Sequence, residues 1–283
     1  MALTEPSIAA RAHPALRVWW PTPALGITAL AHAGGVIALA HSPHAWPWVA
    51  GALVLNHAAL AAAAFAPRSR LLGPNLVRLP AAAAARREIA LTFDDGPHPE
   101  FTPRVLDLLD RVAAKASFFL VGERARRHAR LAREIVARGH AVENHSHRHS
   151  PCFACGGVAR MRREIAAAQA AIADAAGVAP AYFRAPFGIR SPLLEPALAA
   201  CGLRHVAWTR RGYDTVGRDA AAVLARLTRR LEAGDVLLLH DAPGARAGSP
   251  HALAVLPAVL ERIAAEGLRP VTLRAACADA RSA

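Results

Sequence analysis

The hydropathy pattern of the chain changes character near residue 88. Before that point, Pro23 to Ala40 carries no charged residue, and Trp46 to Ala66 forms a second uncharged run. Each approaches the ~20 residues that a helix needs to cross a bilayer. The connection His41–Ala45 is short and holds no Lys or Arg. Trp19, Trp20, Trp46 and Trp48 lie near the segment ends, where indole rings suit the membrane interface. The pattern predicts a two-helix transmembrane hairpin over 23–66. From Glu88 onward, short apolar runs alternate with longer helical patterns. Strands are predicted at Glu88–Phe93, Ala116–Val121, Ala141–Asn144, Ala181–Arg184, His205–Trp208, Val236–Leu239 and Pro270–Leu273. Helices are predicted at Thr102–Ala113, Ala125–Arg138, Val158–Ala176, Leu193–Cys201, Ala220–Glu232 and Leu253–Glu266. This alternation predicts an α/β domain with a parallel sheet and helices outside it. Seven strands in roughly 190 residues suit a small, distorted (β/α)7-type barrel better than a full eight-fold one.

The chain thus divides into an N-terminal cytoplasmic segment (1–22), the hairpin (23–66), a linker (67–87) and a β/α domain (88–283). Arg11 and Arg17 precede the hairpin, and Arg68, Arg70, Arg78, Arg86 and Arg87 follow it. The positive-inside rule therefore puts both ends in the cytoplasm of a multi-pass inner-membrane protein, with the β/α domain on the cytoplasmic side. A rival reading takes the first run as a signal peptide, because Ala38-Leu39-Ala40 offers an A-x-A cleavage pattern. A spanning second run would still stop transfer; the domain faces outward only if one run fails to span. His32, Asn56 and His57 interrupt the apolar runs and are read as neutral groups bonding between the two helices, rather than as a proton or ligand site.

Composition narrows the classes. Of 283 residues, 54% are hydrophobic, a share inflated by alanine, so the fraction alone does not make a membrane protein. The net charge is +13, with Lys115 the only lysine. Such a balance suggests nucleic acid. No zinc-finger pattern, RNP signature or interleaved aromatic-basic stripe accompanies it, so no nucleic-acid partner is expected, and the charge favours anionic membrane lipid or an acidic glycan. Four Cys without a regular framework exclude a disulfide-built fold. Cys152 and Cys155 could form a zinc cluster with His147 and His149, but that use of His149 would compete with the site below; Cys201 and Cys277 read as small core or surface residues.

The polar residues cluster at strand ends. Thr92-Phe93-Asp94-Asp95-Gly96-Pro97 follows the first strand. Adjacent carboxylates there repel unless a cation or proton joins them; a metal on one would leave the other free as a base. An ordinary Asp-Gly-Pro turn is the plain alternative. After the third strand, His145 and His149 stand four apart, a spacing that puts both imidazoles on one face of a helical turn, with His147 pointing elsewhere. Two His and one Asp make three ligands and leave a position for water or substrate. Arg184-Ala185-Pro186-Phe187-Gly188 and Leu238-Leu239-His240-Asp241 follow the fourth and sixth strands, at the edge where barrel enzymes build active sites.

In this order the motifs resemble those of the polysaccharide deacetylase family, also called the NodB-homology domain or carbohydrate esterase family 4. Thr92–Pro97 matches its TFDDGP motif, and His145-Ser146-x-x-His149 its H-S/T-x-x-H motif. Arg184–Gly188 resembles R-x-P-Y-G with Phe for Tyr, and Leu238-x-His240 matches L-x-H. The resemblance covers about two-thirds of the chain and excludes the hairpin. It implies Asp94 as general base, His240 as general acid, and Asp95, His145 and His149 as ligands of a divalent metal. Zinc is the default, with cobalt, manganese or nickel as alternatives. It also implies that Arg184 pairs with Asp94, that the Phe187 N–H holds the oxyanion, that Leu238 lines the acetyl pocket, and that Asp214 orients Arg184 or tunes His240. In the family's D-x-x-D-W region, Arg211 stands for the first Asp and Thr215 for the Trp. Extra arginine there would suit an anionic substrate.

The expectation is a membrane-anchored, metal-dependent hydrolase of the N-acetyl amide of a sugar in a polysaccharide, glycolipid or lipid-linked saccharide. The alternatives are a non-catalytic glycan- or lipid-binding module, or an O-deacetylase or deformylase of a carrier-linked sugar.

Overall fold

Two apolar helices, α1 (Pro23–His41) and α2 (Trp46–Phe65), are joined through a 3-10 turn at Pro43–Ala45. The structure, a computed structural model, describes residues 17–216, 219–243 and 251–278. Thr22 caps α1, its hydroxyl accepting from the Leu25 N–H, and Pro23 fills the first helical position. Both helices are long and apolar enough to cross a membrane, and most of their side chains are exposed. Their polar groups bond to each other. Asn56 Nδ2 donates to Thr28 Oγ1 at 3.1 Å, and Nε2 of His32 lies 3.3 Å from Nε2 of His57.

The segment between α2 and the sheet packs against the domain. Leu72, Leu79 and Ala83 are buried, the last on the short α3 (Ala81–Ala85). The buried Arg190 guanidinium donates to the carbonyls of Leu72 (3.3 Å), Gly73 (3.0 Å) and Pro74 (2.9 Å) and pairs with Glu195 at 3.3 Å. The Arg190 N–H also donates to the Ala64 carbonyl at 3.0 Å, which ties the end of α2 to the loop that carries Phe187.

The β/α units follow in order: β1 (Glu88–Asp94), α4 (Phe101–Asp110), β2 (Ala116–Leu120), α5 (Gly122–Arg127), α6 (Ala129–Ala137), β3 (Ala141–Asn144) and α7 (Val158–Ala176). Then come β4 (Tyr182–Phe183), α8 (Leu194–Ala199), β5 (Arg204–His205), β6 (Arg210–Arg211), α9 (Ala220–Thr228), β7 (Val236–His240), α10 (Ala252–Ala265), β8 (Arg269–Pro270) and α11 (Leu273–Ala276). All strand pairs are parallel, in the order β5-β4-β3-β2-β1-β7-β6, with β8 beside the start of β1. The sheet curls into a half-barrel, open between β5 and β6. Leu76 bridges to Val206 along the β5 side, so the chain ahead of β1 completes that edge.

The pleat sorts the core. Ile89, Leu91 and Phe93 of β1 face the helical layer with Phe118, Leu237 and Leu239. Ala90 faces the inside of the half-barrel with Phe119, Tyr182, Trp208 and Leu238. Because side chains alternate along a strand, Thr92 and Asp94 share the face of Ala90 and point inward. A strand buried on both sides explains the unbroken apolar run that announces it.

Several elements differ from the sequence expectation: the predicted strand His205–Trp208 shortens to β5, the predicted helix Ala220–Glu232 ends at Thr228, and α3 stands in the predicted linker. The predicted helix Ala125–Arg138 is split at His128, which has φ −119° and ψ 47°. The last predicted strand, Pro270–Leu273, is cut to β8 because Thr272 caps α11, accepting from the Ala275 N–H at 3.1 Å. The eighth strand is β6, whose two arginines carry no apolar signal.

Candidate active site

Asp94 is the last residue of β1 and Asp95 the first beyond it, with φ 74°. The turn reverses the chain sharply, so the neighbouring carboxylates face different partners. Arg184, fully buried after β4, donates from Nη1 to Asp94 Oδ1 at 2.7 Å and to Thr92 Oγ1 at 2.9 Å. Its Nη2 donates to the Ala207 carbonyl at 3.0 Å, and its carbon Cζ lies 4.1 Å from the Phe119 ring centroid. Burial pushes the guanidinium's pKa down and the Asp94 charge pushes it back up, with a net lowering. The pair therefore exists as a charge-assisted bond held by the sheet itself.

Asp95 faces two imidazoles. His145 Nε2 lies 3.3 Å and His149 Nε2 3.1 Å from Asp95 Oδ1. Among the described residues, these three form the group whose possible ligand atoms all fall within 4.8 Å of one another. The two histidines meet for a reason other than the expected helical turn. Residues 145–149 form a loop in which Ser146 (φ 64°) and His149 (φ 53°) are left-handed. The loop is pinned by the N–H groups of Gly122 and Glu123, which donate to the carbonyls of Ser146 and His147, each at 3.0 Å. The ring centroids of His145 and His149 end 4.9 Å apart. His145 Nδ1 lies 2.9 Å from the Arg184 carbonyl. A carbonyl can only accept, so Nδ1 carries a proton and Nε2 is the ring nitrogen that points toward Asp95.

The donor set fits a divalent cation. Asp95 Oδ1 is buried without a satisfied hydrogen bond, although both Nε2 atoms are close. Burial raises the Asp95 pKa, but the contact with His145 and the charges of His240, His145 and His149 overcome it and hold the carboxyl well below the usual range. Burial and the neighbouring His145 lower His149 to about 4. An ionised carboxylate facing two imidazole nitrogens is a donor set suited to a divalent metal. Cys152 and Cys155 are free and exposed, and neither belongs to this group.

On the opposite side, at the end of β7, His240 Nδ1 bonds Asp214 Oδ1 at 2.8 Å, and its backbone N–H donates to Asp214 Oδ2 at 2.8 Å. Burial pulls the imidazole down, but the Asp214 charge and hydrogen bond dominate and raise His240 to about 9. Of the two partners left open by the sequence, Asp214 bonds His240, while Arg184 is held by Thr92, Asp94 and the Ala207 carbonyl.

Asp94, Asp95, His145, His149 and His240 line one cavity of about 510 Å³. Phe187 and Leu238 line its wall, as do Trp208, Arg211 and Thr215. Phe187 has φ 60°, and its ring centroid lies 4.7 Å from that of His149. All nine residues singled out from the sequence thus meet at one edge of the sheet, seven on the cavity and Arg184 and Asp214 behind it. Two further residues carry no obvious signal. Arg124 donates to the Asp95 carbonyl at 2.5 Å and also lines the cavity. Asp241 is fully buried under Gly96, where any Cβ would collide with its carboxylate. The Thr102 hydroxyl donates to Asp241 Oδ2 at 2.5 Å, Oδ1 has no partner, and burial raises this carboxyl to about 7. Its one hint in the sequence is an acid directly after the strand-end histidine.

Similar proteins share this architecture. Residues 81–206 match the polysaccharide deacetylase family. A chitooligosaccharide deacetylase of Sinorhizobium fredii is 35% identical over 164 residues, covering 58% of this chain and 76% of that protein. A peptidoglycan-N-acetylglucosamine deacetylase of Bacillus cereus is 33% identical over 192 residues, covering 66% of this chain and 67% of that protein. Among solved structures, a family 4 carbohydrate esterase from Streptomyces lividans in complex with acetate matches with a TM-score of 0.59 and 34% identity, over 65% of this chain and 91% of that one. A peptidoglycan N-acetylglucosamine deacetylase structure matches with a TM-score of 0.64 and 30% identity, over 71% and 91%. Two carboxylates, two facing imidazoles and a carboxylate-bound histidine at the edge of a curled parallel sheet, in a chain with these relatives, have one reading: this chain belongs to the polysaccharide deacetylase family and is a hydrolase of non-peptide carbon–nitrogen bonds.

Proposed function

We propose that this chain is a metal-dependent deacetylase that removes the acetyl group from the amide nitrogen of an N-acetylated sugar while its hairpin anchors it in the membrane. The observation that carries this reading is the division of labour between Asp94 and Asp95. Arg184 grips one carboxylate at the cavity floor, while the other faces two imidazole nitrogens.

Asp95, His145 and His149 would hold the cation, for which two nitrogens and one oxygen favour zinc, with cobalt, manganese and nickel as alternatives. When bound, the cation supplies Lewis acidity toward the acyl carbonyl and makes water a stronger acid. The chain's own groups handle the protons. Asp94 takes a proton from the attacking water as its oxygen bonds to the acyl carbon. The Phe187 backbone N–H, on a strained left-handed turn at the cavity wall, donates to the developing oxyanion. His240 gives its proton to the leaving nitrogen as the C–N bond breaks, so acetate and an amine leave. Asp214 keeps His240 charged until that moment. Leu238 lines the space for the acetyl methyl. A pure glycan- or lipid-binding module would need neither a paired base nor a protonated acid.

The chitooligosaccharide and peptidoglycan deacetylases among the relatives make N-acetylglucosamine units the first acceptors to try. With arginines on both flanks of the hairpin, both chain ends lie in the cytoplasm and the active site faces lipid-linked or glycolipid acceptors there. The test is acetate release by the purified chain, zinc-loaded and chelated, beside Asp94→Asn. Metal-dependent release that vanishes in the variant supports the reading; equal release by the variant overturns it.

A further inference from the structure

A second cavity, of about 420 Å³, adjoins the first, and Arg211 lines both. Arg68, Arg210, Arg226 and Arg229 line it too, and none of its lining residues is acidic. Arg210 pairs with Asp235 at 2.5 Å and donates to the carbonyls of Arg229 and Arg230. Among the described residues, Arg68, Arg211, Arg226 and Arg229 have no carboxylate partner. Like charges gathered without a counter-charge repel, and a bound anion relieves them.

Arg211 is held for such a role. Its Cζ lies 5.3 Å from the Trp208 ring centroid and 4.8 Å from that of Tyr213, so two aromatic faces fix the guanidinium. Its Nε is buried and makes no hydrogen bond. Its outer N–H groups, which bond no described residue, match the oxygens of a phosphate group. Arg68 lies three residues beyond the end of α2 and donates to the Thr209 carbonyl, which puts the pocket between the foot of the hairpin and the Asp94–His240 cavity.

We infer that this arginine pocket binds a phosphate or diphosphate carried by the acceptor, so that the substrate class is an N-acetylated sugar linked through phosphate, as in a lipid-linked saccharide. The inference rests on the deacetylase reading above. An anionic lipid headgroup would offer the same phosphate chemistry, and the experiment separates the two sources.

The full chain, zinc-loaded in phosphatidylcholine nanodiscs, is assayed for acetate release from N-acetylglucosamine 1-phosphate and from the methyl glycoside of N-acetylglucosamine. The expected kcat/KM is at least about tenfold higher for the phosphorylated sugar. That ratio falls toward one in Arg226→Gln/Arg229→Gln, whose two side chains are exposed on or beside α9, so the fold survives. It is kept in Arg104→Gln, which removes an equally exposed arginine from α4. Inorganic pyrophosphate inhibits the wild type and loses potency in the double variant. Equal ratios in all three proteins, without pyrophosphate inhibition, overturn the inference. Replacing part of the phosphatidylcholine by phosphatidylglycerol tests the other source: stimulation that depends on Arg226 and Arg229, with no preference for the phosphorylated sugar, overturns the substrate assignment. If no acceptor releases acetate, the deacetylase reading is what fails. Calorimetric pyrophosphate binding, kept by the wild type and lost in the double variant, then supports the pocket alone, and its absence overturns the pocket as well.

Discussion

One carboxylate grips His240 twice: Asp214 Oδ1 bonds its ring Nδ1 and Asp214 Oδ2 its backbone N–H, both at 2.8 Å. The double attachment fixes the ring's tautomer and orientation as well as its charge. Burial alone would favour neutral imidazole, so the value of about 9 depends on Asp214. A general acid must be protonated, so kcat/KM should fall as pH rises through about 9. In Asp214→Asn the two strongest forces opposing desolvation are lost and only the charges of Asp95 and Asp94 remain, so that basic limb should move down by at least about one pH unit. A pH–rate profile of the two proteins checks this; an unmoved limb would assign the acid to another group. The stability effect has its own sign. Because the folded value lies above that of free imidazole, the pair's contribution is full below about 6.5 and is lost as pH rises through about 9. The stability gap between wild type and Asp214→Asn should therefore narrow from pH 6 to pH 10 in urea unfolding.

The Asp94–Arg184 pair is buried, with only the Asp94 end reaching the cavity. Removing one partner strands a charge, at a cost of about 3–5 kcal/mol. Arg184→Met should lose that much stability, and Asp94→Asn/Arg184→Met should lose less than the two single losses added together. A double-mutant cycle in urea measures the coupling. Asp94→Asn should lower kcat by about 10²-fold or more while the protein still binds zinc, because the base and the metal group are separate carboxylates.

Zinc binding should stabilise the fold by mass action, about 2.7 kcal/mol at a free concentration a hundred times Kd. His149 is only half-buried at the cavity rim, so His149→Ala should fold normally while losing both stoichiometric zinc and the zinc-dependent rise in Tm. Thermal melts with and without zinc, read beside metal analysis, test this. A variant that still melts higher with zinc would remove His149 from the ligand set.

Much of this site is visible in the sequence because strand ends carry it. A parallel strand buried on both faces must read as an apolar run, so Glu88–Asp94 and Val236–His240 announce themselves, and the polar residues that close them stand out. The His145/His149 spacing picks two rings that do meet, but across a loop with two left-handed residues and not on a helical turn, a geometry that spacing does not encode. What stays hidden depends on distant chain. Arg190 looks like any of the many arginines until Leu72, Gly73 and Pro74 turn three carbonyls toward it. The two-residue strand β6 is arginine throughout, and its pairing with β7 is fixed by the sheet, not by its own pattern.

Asp241 belongs to this hidden set and yields the last prediction. Its carboxyl is buried beneath Gly96, bonded by Thr102 on one oxygen and unpartnered on the other. Burial raises it from 3.8 to about 7, so the folded protein prefers it protonated. The unfolded chain ionises it near 3.8, so the fold's advantage is full below that value and is lost as pH rises through about 7. Asn keeps an oxygen to accept from Thr102 and brings no charge to bury. Asp241→Asn should therefore match the wild type near pH 4 and exceed it above pH 8, by an amount on the order of 4 kcal/mol at most. Urea midpoints of both proteins across that range decide the matter. A gap that stays constant with pH would mean that Asp241 is not held protonated, and that a cation or a donor from the neighbouring chain neutralises it.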